Sequence, residues 1–407
     1  MYHTNSVLRR LGYWIAIAAV VGSLWLSVGY DHPRAALAAS DPVIAAAGDI
    51  ACDPSESSFK GGNGTASECR QKYTSNLLVN AGLSKVLALG DNQYFCGGYQ
   101  AFLKSYALSW GRVKSITRPV VGNHEYLESG GTDCSTNAAG YFKYFGAKAG
   151  DPTQGYYSYN VGAWHLIALN SNCSDAGGCG AASPQGKWLA ADLAAHQTAC
   201  TLAYWHIPLF SSSGSLQSTS TRPLWQILYD HGTDVILNGH SHFYERFAPQ
   251  TPAGKSDSAH GIREFVVGTG GATHTGIGTV AANSQVRNNT TYGVLELTLH
   301  PSSYSWKFVH EAGKTFSDSG TTNCHGLPAA TALPASASAP TPTASPTPTP
   351  TAGAVSATLT QTPVASPAAT LTQTAAPTVT ATPSATPAVP RTRTPTAVAS
   401  PSPTPTP

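Results

Sequence analysis

The sequence predicts an α/β protein in which two mixed β-sheets pack together with helices outside. Three observations carry that prediction. Short apolar runs alternate with helix-like segments from residue 43 to residue 237, the order that builds strand–helix units. Beyond residue 260 three apolar runs follow one another without helices between them, which reads as strand hairpins. Several early runs stop abruptly at a glycine and a polar side chain, as buried strands do where they deliver ligands at their C-terminal tips.

In chain order, residues 43–47 form a short apolar strand running into Gly48 and Asp49. Residues 52–64 are polar and glycine-rich and form a loop. Residues 67–81 suit a helix, with Leu77, Leu78 and Ala81 on one face and Gly82 as its stop. A second strand over 85–89 is followed by a helix over 99–110 that carries Phe102, Leu103, Tyr106 and Trp110. The third strand, 119–121, is very short. An aromatic helix over 137–145 precedes strands at 156–159 and 164–169, on either side of Val161-Gly162. Residues 184–196 make a helix with Pro184 at its start and Trp188, Leu189 and Leu193 on one side. Strand 201–205 ends at His206, helix 223–229 closes at Gly232, and strand 234–237 ends at Asn238-Gly239-His240. The last three strands, 264–267, 293–299 and 305–309, are expected to be antiparallel, with His300-Pro301-Ser302-Ser303 as a hairpin loop.

The chain of 407 residues has room for one large domain or two ordinary ones. Its formal net charge is +2 and it carries no basic patch, so no nucleic-acid partner is indicated. Its 8 cysteines contain no Cys-x-x-Cys pair, which argues against a thiolate zinc site and for disulfides in an oxidising compartment. Cys173 and Cys179 are close enough in sequence to staple one loop. If any thiol escapes pairing, Cys200, at the head of a core strand, is the first candidate.

Both ends differ from the middle. Arg9 and Arg10 precede an uncharged, mostly apolar run over 11–29, and an Ala-x-Ala site follows at 36–38. That is an export signal over 1–38, cleaved after Ala38. The run is also just long enough to span a bilayer as an uncleaved anchor. Both readings put the domain, 41–325, outside the cytoplasm, extracellular or at the cell surface. Residues 328–407 are rich in Pro, Thr, Ala and Ser, with Arg391 and Arg393 as their only charges. Such a segment cannot bury a core and reads as a disordered, extended tail; a wall spacer and a glycosylated stalk are alternatives. Either end offers a route to membrane or surface association.

Five strand tips carry side chains able to ligate a metal. They are Gly48-Asp49, Gly90-Asp91-Asn92-Gln93-Tyr94, Gly122-Asn123-His124-Glu125, Tyr204-Trp205-His206 and Gly239-His240-Ser241-His242. Parallel strands gather such tips at one edge of a sheet. Asp91 has the chemistry to bridge two ions, with one oxygen for each. Tyr94 can add a phenolate only beside a strongly acidic metal, because a free phenol titrates near pH 10. Carboxylate and phenolate oxygens with imidazoles suit iron, manganese or zinc. His240 and His242, two apart, converge only if the chain turns, which Gly239 permits.

Taken together, the motifs resemble those of the calcineurin-like metallophosphoesterases and, within that superfamily, the purple acid phosphatases. The similarity covers 43–245 by motif and the strands to about 310 by pattern. It implies a four-layer αββα sandwich with a two-metal site. One ion would be held by Asp49, Asp91, Tyr94 and His242, and the other by Asp91, Asn123, His206 and His240. His124 would not ligate; it would lie over the substrate and act catalytically. Most of the superfamily has Asp-x-His at the first motif, whereas this chain reads Asp49-Ile50-Ala51. Tyr94, at the spacing Gly-Asp-x-x-Tyr, compensates for the missing imidazole in the way the purple type does. The implied cofactor is therefore Fe³⁺ with a divalent Fe, Zn or Mn.

The chemistry so implied is phosphomonoester hydrolysis, with a small phosphate ester as partner. Two cations bridged by Asp91 lower the pKa of a shared water, whose hydroxide attacks phosphorus in line with the leaving oxygen. Asn123 and His124 stabilise the equatorial oxygens, and His124 protonates the departing alkoxide. Glu125 either orients His124 or faces solvent. A phosphodiesterase or nucleotide phosphohydrolase with the same centre, and a non-catalytic extracellular metal-binding module, are the alternatives. Arg112, Arg118, Lys143 and Lys187 are candidate phosphate contacts. The loop Gly268-Thr269-Gly270-Gly271, with His274 beyond it, is a candidate border of the pocket.

Overall fold

Alternation in the strands fixes the layers. In a computed structural model describing residues 40–326, the strands at 164–168, 200–204 and 235–238 are buried on both faces. Leu166, Ala168, Leu202, Tyr204, Val235 and Leu237 point into the core between the sheets. Their neighbours Ile167, Ala203 and Ile236 join Leu189, Leu193, Leu224, Trp225 and Leu228 from two helices on the outer side. A period of two thus serves two cores at once, which is why these runs are almost continuously apolar.

The elements follow in the order β1 (Val43–Ala47), α1 (Gln71–Asn76), β2 (Lys85–Leu89), α2 (Tyr99–Lys104), β3 (Thr117–Val120), α3 (Ala139–Phe145), β4 (Tyr157–Val161) and β5 (Trp164–Ala168). Then come α4 (Pro184–Ala195), β6 (Cys200–Tyr204), α5 (Arg222–Asp230), β7 (Val235–Asn238), β8 (Tyr244–Phe247) and β9 (Arg263–Val267). The chain closes with β10 (Ser284–Asn288), β11 (Gly293–Leu299), β12 (Ser303–His310) and β13 (Ser319–Asn323). One sheet has six strands in the order β13-β12-β11-β1-β2-β3, and the other has seven in the order β10-β8-β9-β7-β6-β5-β4. Both are mixed, with β1–β3 parallel in the first and β5, β6, β7 and β9 parallel in the second. The fold is the four-layer α/β sandwich that the sequence predicts.

Several expectations are corrected. Residues 263–267 pair parallel with β7 and antiparallel only with β8, so this strand belongs to the parallel core. Strands β8, β10 and β13 were not foreseen. The helix expected over 67–81 shrinks to α1, because Cys69 takes a left-handed φ of 57° and is tied by a disulfide. The helix expected over 99–110 breaks at Ser105, whose hydroxyl donates to the Cys52 carbonyl while the next N–H, from Tyr106, donates to Gln93 Oε1. Cys200 is not free. All eight cysteines pair, as Cys52–Cys69, Cys96–Cys134, Cys173–Cys179 and Cys200–Cys324. The last bond closes a loop of 124 residues and ties β6 to the end of β13. No helix among the described residues is long and apolar enough to cross a membrane. The export segment 1–38 and the tail from 328 lie outside the described residues.

Candidate metal centre

The parallel strands of both sheets, not one sheet alone, end at the same place. The tips of β1, β2 and β3 meet those of β6 and β7 across the sandwich. Gly90 makes that approach possible: at φ +86°, a Cβ there would lie 2.5 Å from His206 Nδ1. Gly122 does the same for β3, since its Cβ would meet Asp91 Oδ1 at 2.1 Å. Asp49, Asp91 and His240 themselves adopt left-handed backbone, with φ of 59°, 45° and 69°. Such conformations cost about 1–3 kcal/mol each and persist where the surroundings over-determine them. Here the Asp49 carboxylate accepts the His240 N–H at 2.8 Å, and the Asp49 N–H donates to the Gly90 carbonyl at 3.1 Å.

All seven expected ligands and His124 come together. They fall into two groups that share Asp91. In the first, the Tyr94 hydroxyl lies 3.0 Å from Asp49 Oδ1, 3.1 Å from Asp91 Oδ2 and 2.9 Å from His242 Nε2. In the second, His206 Nε2 lies 3.3 Å from Asp91 Oδ1, 3.1 Å from Asn123 Oδ1 and 3.1 Å from His240 Nδ1. Asp91, His206 and His240 form a cluster geometrically able to hold an ion.

Partners outside each group aim the imidazoles. His206 Nδ1 donates to the Leu89 carbonyl at 2.8 Å, which leaves Nε2 to face the site. His242 Nδ1 meets Thr273 Oγ1 at 2.9 Å, so its Nε2 faces inward as well. His124 stands apart: its Nδ1 donates to the Phe95 carbonyl at 2.8 Å, and its Nε2 remains 3.9 Å from Asp91 Oδ2.

The donor set fits cations. Deprotonated on Nε2, His206 aims a lone pair at the Asn123 oxygen and the Asp91 carboxylate, and only positive charge relieves that. The titration directions agree. Burial opposes charge on His206, yet the Asp91 and Asp49 carboxylates raise it to about 9. Burial, then His206, pushes neighbouring His240 down to about 4. Burial raises Asp91 and Asp49, but the surrounding histidines outweigh it and hold both below the ordinary carboxylate range. Burial and the two carboxylates push the Tyr94 phenol well above 10. Burial opposes charge on His242 too, and the Asp49 carboxylate raises it.

Sequence reasoning missed two carboxylates. Glu125 is neither on the surface nor an orienter of His124. It is fully buried, and its oxygens accept the backbone N–H groups of Gly122, Asp91, Asn92 and Gln93 at 2.6–3.1 Å. Burial and the Asp91 charge push it up to about 7 against those donors. Asp53 accepts from Ser55 and Thr132, through backbone and hydroxyl of each, and from the Phe95 N–H. The Asp53-Pro54-Ser55 turn was the available signal for it; for Glu125 there was none beyond adjacency to His124.

A cavity of about 420 Å³ opens beside Tyr94, His124 and His242 and is bordered by Ala272 and Thr273, just after the glycine-rich loop. His274 stacks on Tyr292, with ring centroids 3.9 Å apart. Arg112, Arg118, Lys143 and Lys187 do not line the cavity. Arg118 and Lys143 instead sit over the rings of Tyr159 and Tyr99.

Comparison with known proteins agrees with this geometry. Residues 43–244 match the family model described as calcineurin-like phosphoesterase. Purple acid phosphatase 15 of Arabidopsis thaliana is 29% identical over 149 residues, covering 34% of this chain and 27% of that protein. Purple acid phosphatase 18 of the same plant is 30% identical over 130 residues, 30% of this chain and 28% of that protein. The matched stretches thus take in little more than a quarter of the relatives' length. Among solved structures, the purple acid phosphatase PPD1 from yellow lupin seeds superposes with a TM-score of 0.56 at 18% identity, covering 70% of this chain and 54% of that one. That likeness shows the shared fold.

Proposed function

Since the chain belongs to the calcineurin-like metallophosphoesterase superfamily and is related to the purple acid phosphatases, we propose that it is an exported phosphatase that hydrolyses phosphomonoesters at a two-metal centre. The supporting observation is the division of Asp91: Oδ2 serves the Tyr94 group and Oδ1 the His206 group. Asp49, Asp91, Tyr94 and His242 would hold one ion, Fe³⁺, and Asp91, Asn123, His206 and His240 a divalent Fe, Zn or Mn. When bound, the pair supplies Lewis acidity and a nucleophile at neutral pH.

The remaining work falls to protein groups. The Phe95 carbonyl fixes the proton of His124 on Nδ1, so protonation of Nε2 makes this imidazole the acid for the leaving oxygen. Its backbone N–H donates to Asp91 Oδ1 at 2.9 Å and holds the shared carboxylate in place. The Asn123 amide nitrogen remains for an equatorial phosphoryl oxygen. Glu125 and the left-handed backbone positions keep the tips fixed before substrate arrives, as electrostatic stabilisation requires.

In this reading residues 41–325 are the catalytic domain, 1–38 direct export, and the tail from 328 plays no part in the chemistry. Four disulfides support an oxidising, extracellular setting. Elemental analysis of purified protein, paired with turnover of a phosphomonoester, tests the proposal; metal-loaded protein without turnover would overturn it.

A further inference from the structure

The cavity beside the centre has an unusual balance of charge for a site that takes phosphate. None of its lining residues is Lys or Arg. Its carboxylates are Asp53 and Glu56, and they are not equivalent. Asp53 is saturated by five hydrogen bonds from Ser55, Thr132 and Phe95. Glu56 accepts a single long one, from the Asp53 N–H at 3.4 Å. Burial, then the charges of Asp53 and Glu68, pushes the Glu56 carboxyl up, while the Asp53 N–H and His124 pull it down. Glu56 is thus a half-buried carboxylate in the same cavity as the proposed acid, and it lacks a cationic partner of its own there.

Phe95 supplies the second feature. The residue is 41% exposed, a large apolar side chain left open beside a buried polar centre. It lines the same cavity and meets the His124 ring edge to face at 4.8 Å. An open aromatic ring and an underused carboxylate lining one cavity are a recognition pair for an organic ammonium group. A second phosphate in the same place would find no side-chain cation other than the site's own imidazoles.

Resting on the phosphatase reading, we infer that Glu56 and Phe95 form a subsite for a cationic leaving group, and that the favoured substrate is the phosphomonoester of an amino alcohol. Glu56 and Phe95 are then specificity-determining residues. Phosphate sits at the centre, His124 lies above the ester oxygen, and the ammonium group reaches the carboxylate and the ring. Diphosphates and other esters with anionic leaving groups are disfavoured.

An isosteric pair tests this: 2-aminoethyl phosphate against propyl phosphate, and the uncleavable 2-aminoethylphosphonate against propylphosphonate. With metal-loaded protein, the cationic member should have a kcat/KM about tenfold higher, and in calorimetry should bind about tenfold tighter, the scale of one cation–π contact with one half-exposed ion pair. Glu56→Gln should collapse both ratios toward one, and Phe95→Leu should lower them by a few-fold. A wild-type ratio near one, or a preference that survives Glu56→Gln, overturns the inference. Failure to bind either phosphonate also overturns it. Turnover of both esters without preference defeats the subsite alone. A Glu56-dependent binding preference without turnover of any ester upholds the subsite and defeats the phosphatase reading.

Discussion

The two halves of the centre share one carboxylate but differ in chemistry. The Tyr94 half is rich in oxygen, with a phenol and a second carboxylate beside one imidazole, and its Tyr94 and His242 line the cavity. The His206 half sets two imidazoles against an amide oxygen, and none of its own three residues lines that cavity. His206 is wholly buried, whereas the His242 side chain keeps 15% of its surface. The carboxylates act on an imidazole in both halves, raising His206 to about 9 and His242 as well, and with burial they push the Tyr94 phenol well above 10. Hard oxygen donors favour a trivalent ion and borderline nitrogens a divalent one, so this difference in donors predicts a trivalent ion beside a divalent one.

The largest break comes from the shared ligand. Asp91→Asn should empty both halves together, with metal affinity falling by more than the ~100-fold that loss of a ligand's supporting partner costs. Loss of one ion alone would show that the halves are independent. Next comes His124→Ala, which should leave metal content intact and lower phosphomonoester turnover by about 10²–10⁴-fold. If that variant instead comes out metal-free, His124 is a ligand and the division of roles is wrong.

Glu125→Gln sharpens the comparison from behind. An amide cannot accept from four N–H groups at once, so stability should fall by about 1–3 kcal/mol in denaturant titration. Because these donors hold the tips of β2 and β3, both ions should weaken together. An unchanged midpoint would show that Glu125 is not the organiser of those tips. Tyr94→Phe should have the smallest effect on turnover and the most selective one on metal. It keeps the ring and removes the oxygen, so visible absorption and retention of iron should be lost from one half only, while divalent ions sustain some activity. A colourless, iron-free wild type would defeat the phenolate assignment and leave the two-ion centre standing.

What could be read from the sequence follows from where the information lies. The ligand tips were legible because each is local: an apolar run, a glycine, and a metal-competent side chain within a few residues. The central strands were legible because burial on both faces leaves them with few polar interruptions. Strands β10 and β13, reading Ser-Gln-Val-Arg-Asn and Ser-Gly-Thr-Thr-Asn, are polar edges whose pairing depends on neighbours, and no periodicity announces them. Glu125 was illegible for the same reason, since its four donors come from two separate strand tips. The disulfides show both cases. Cys173–Cys179 spans 6 positions and could be anticipated, whereas Cys200–Cys324 spans 124 and is set by the register of the sheets.

The proposed centre has two donor groups that would each hold an ion through a common Asp91. Elemental analysis of the purified wild-type chain, alongside Asp91→Asn, addresses that most directly. Two ions per wild-type chain, one of them iron, with neither retained in the variant, is the predicted result. A wild-type chain that takes up one ion or none under metal-replete conditions would contradict it.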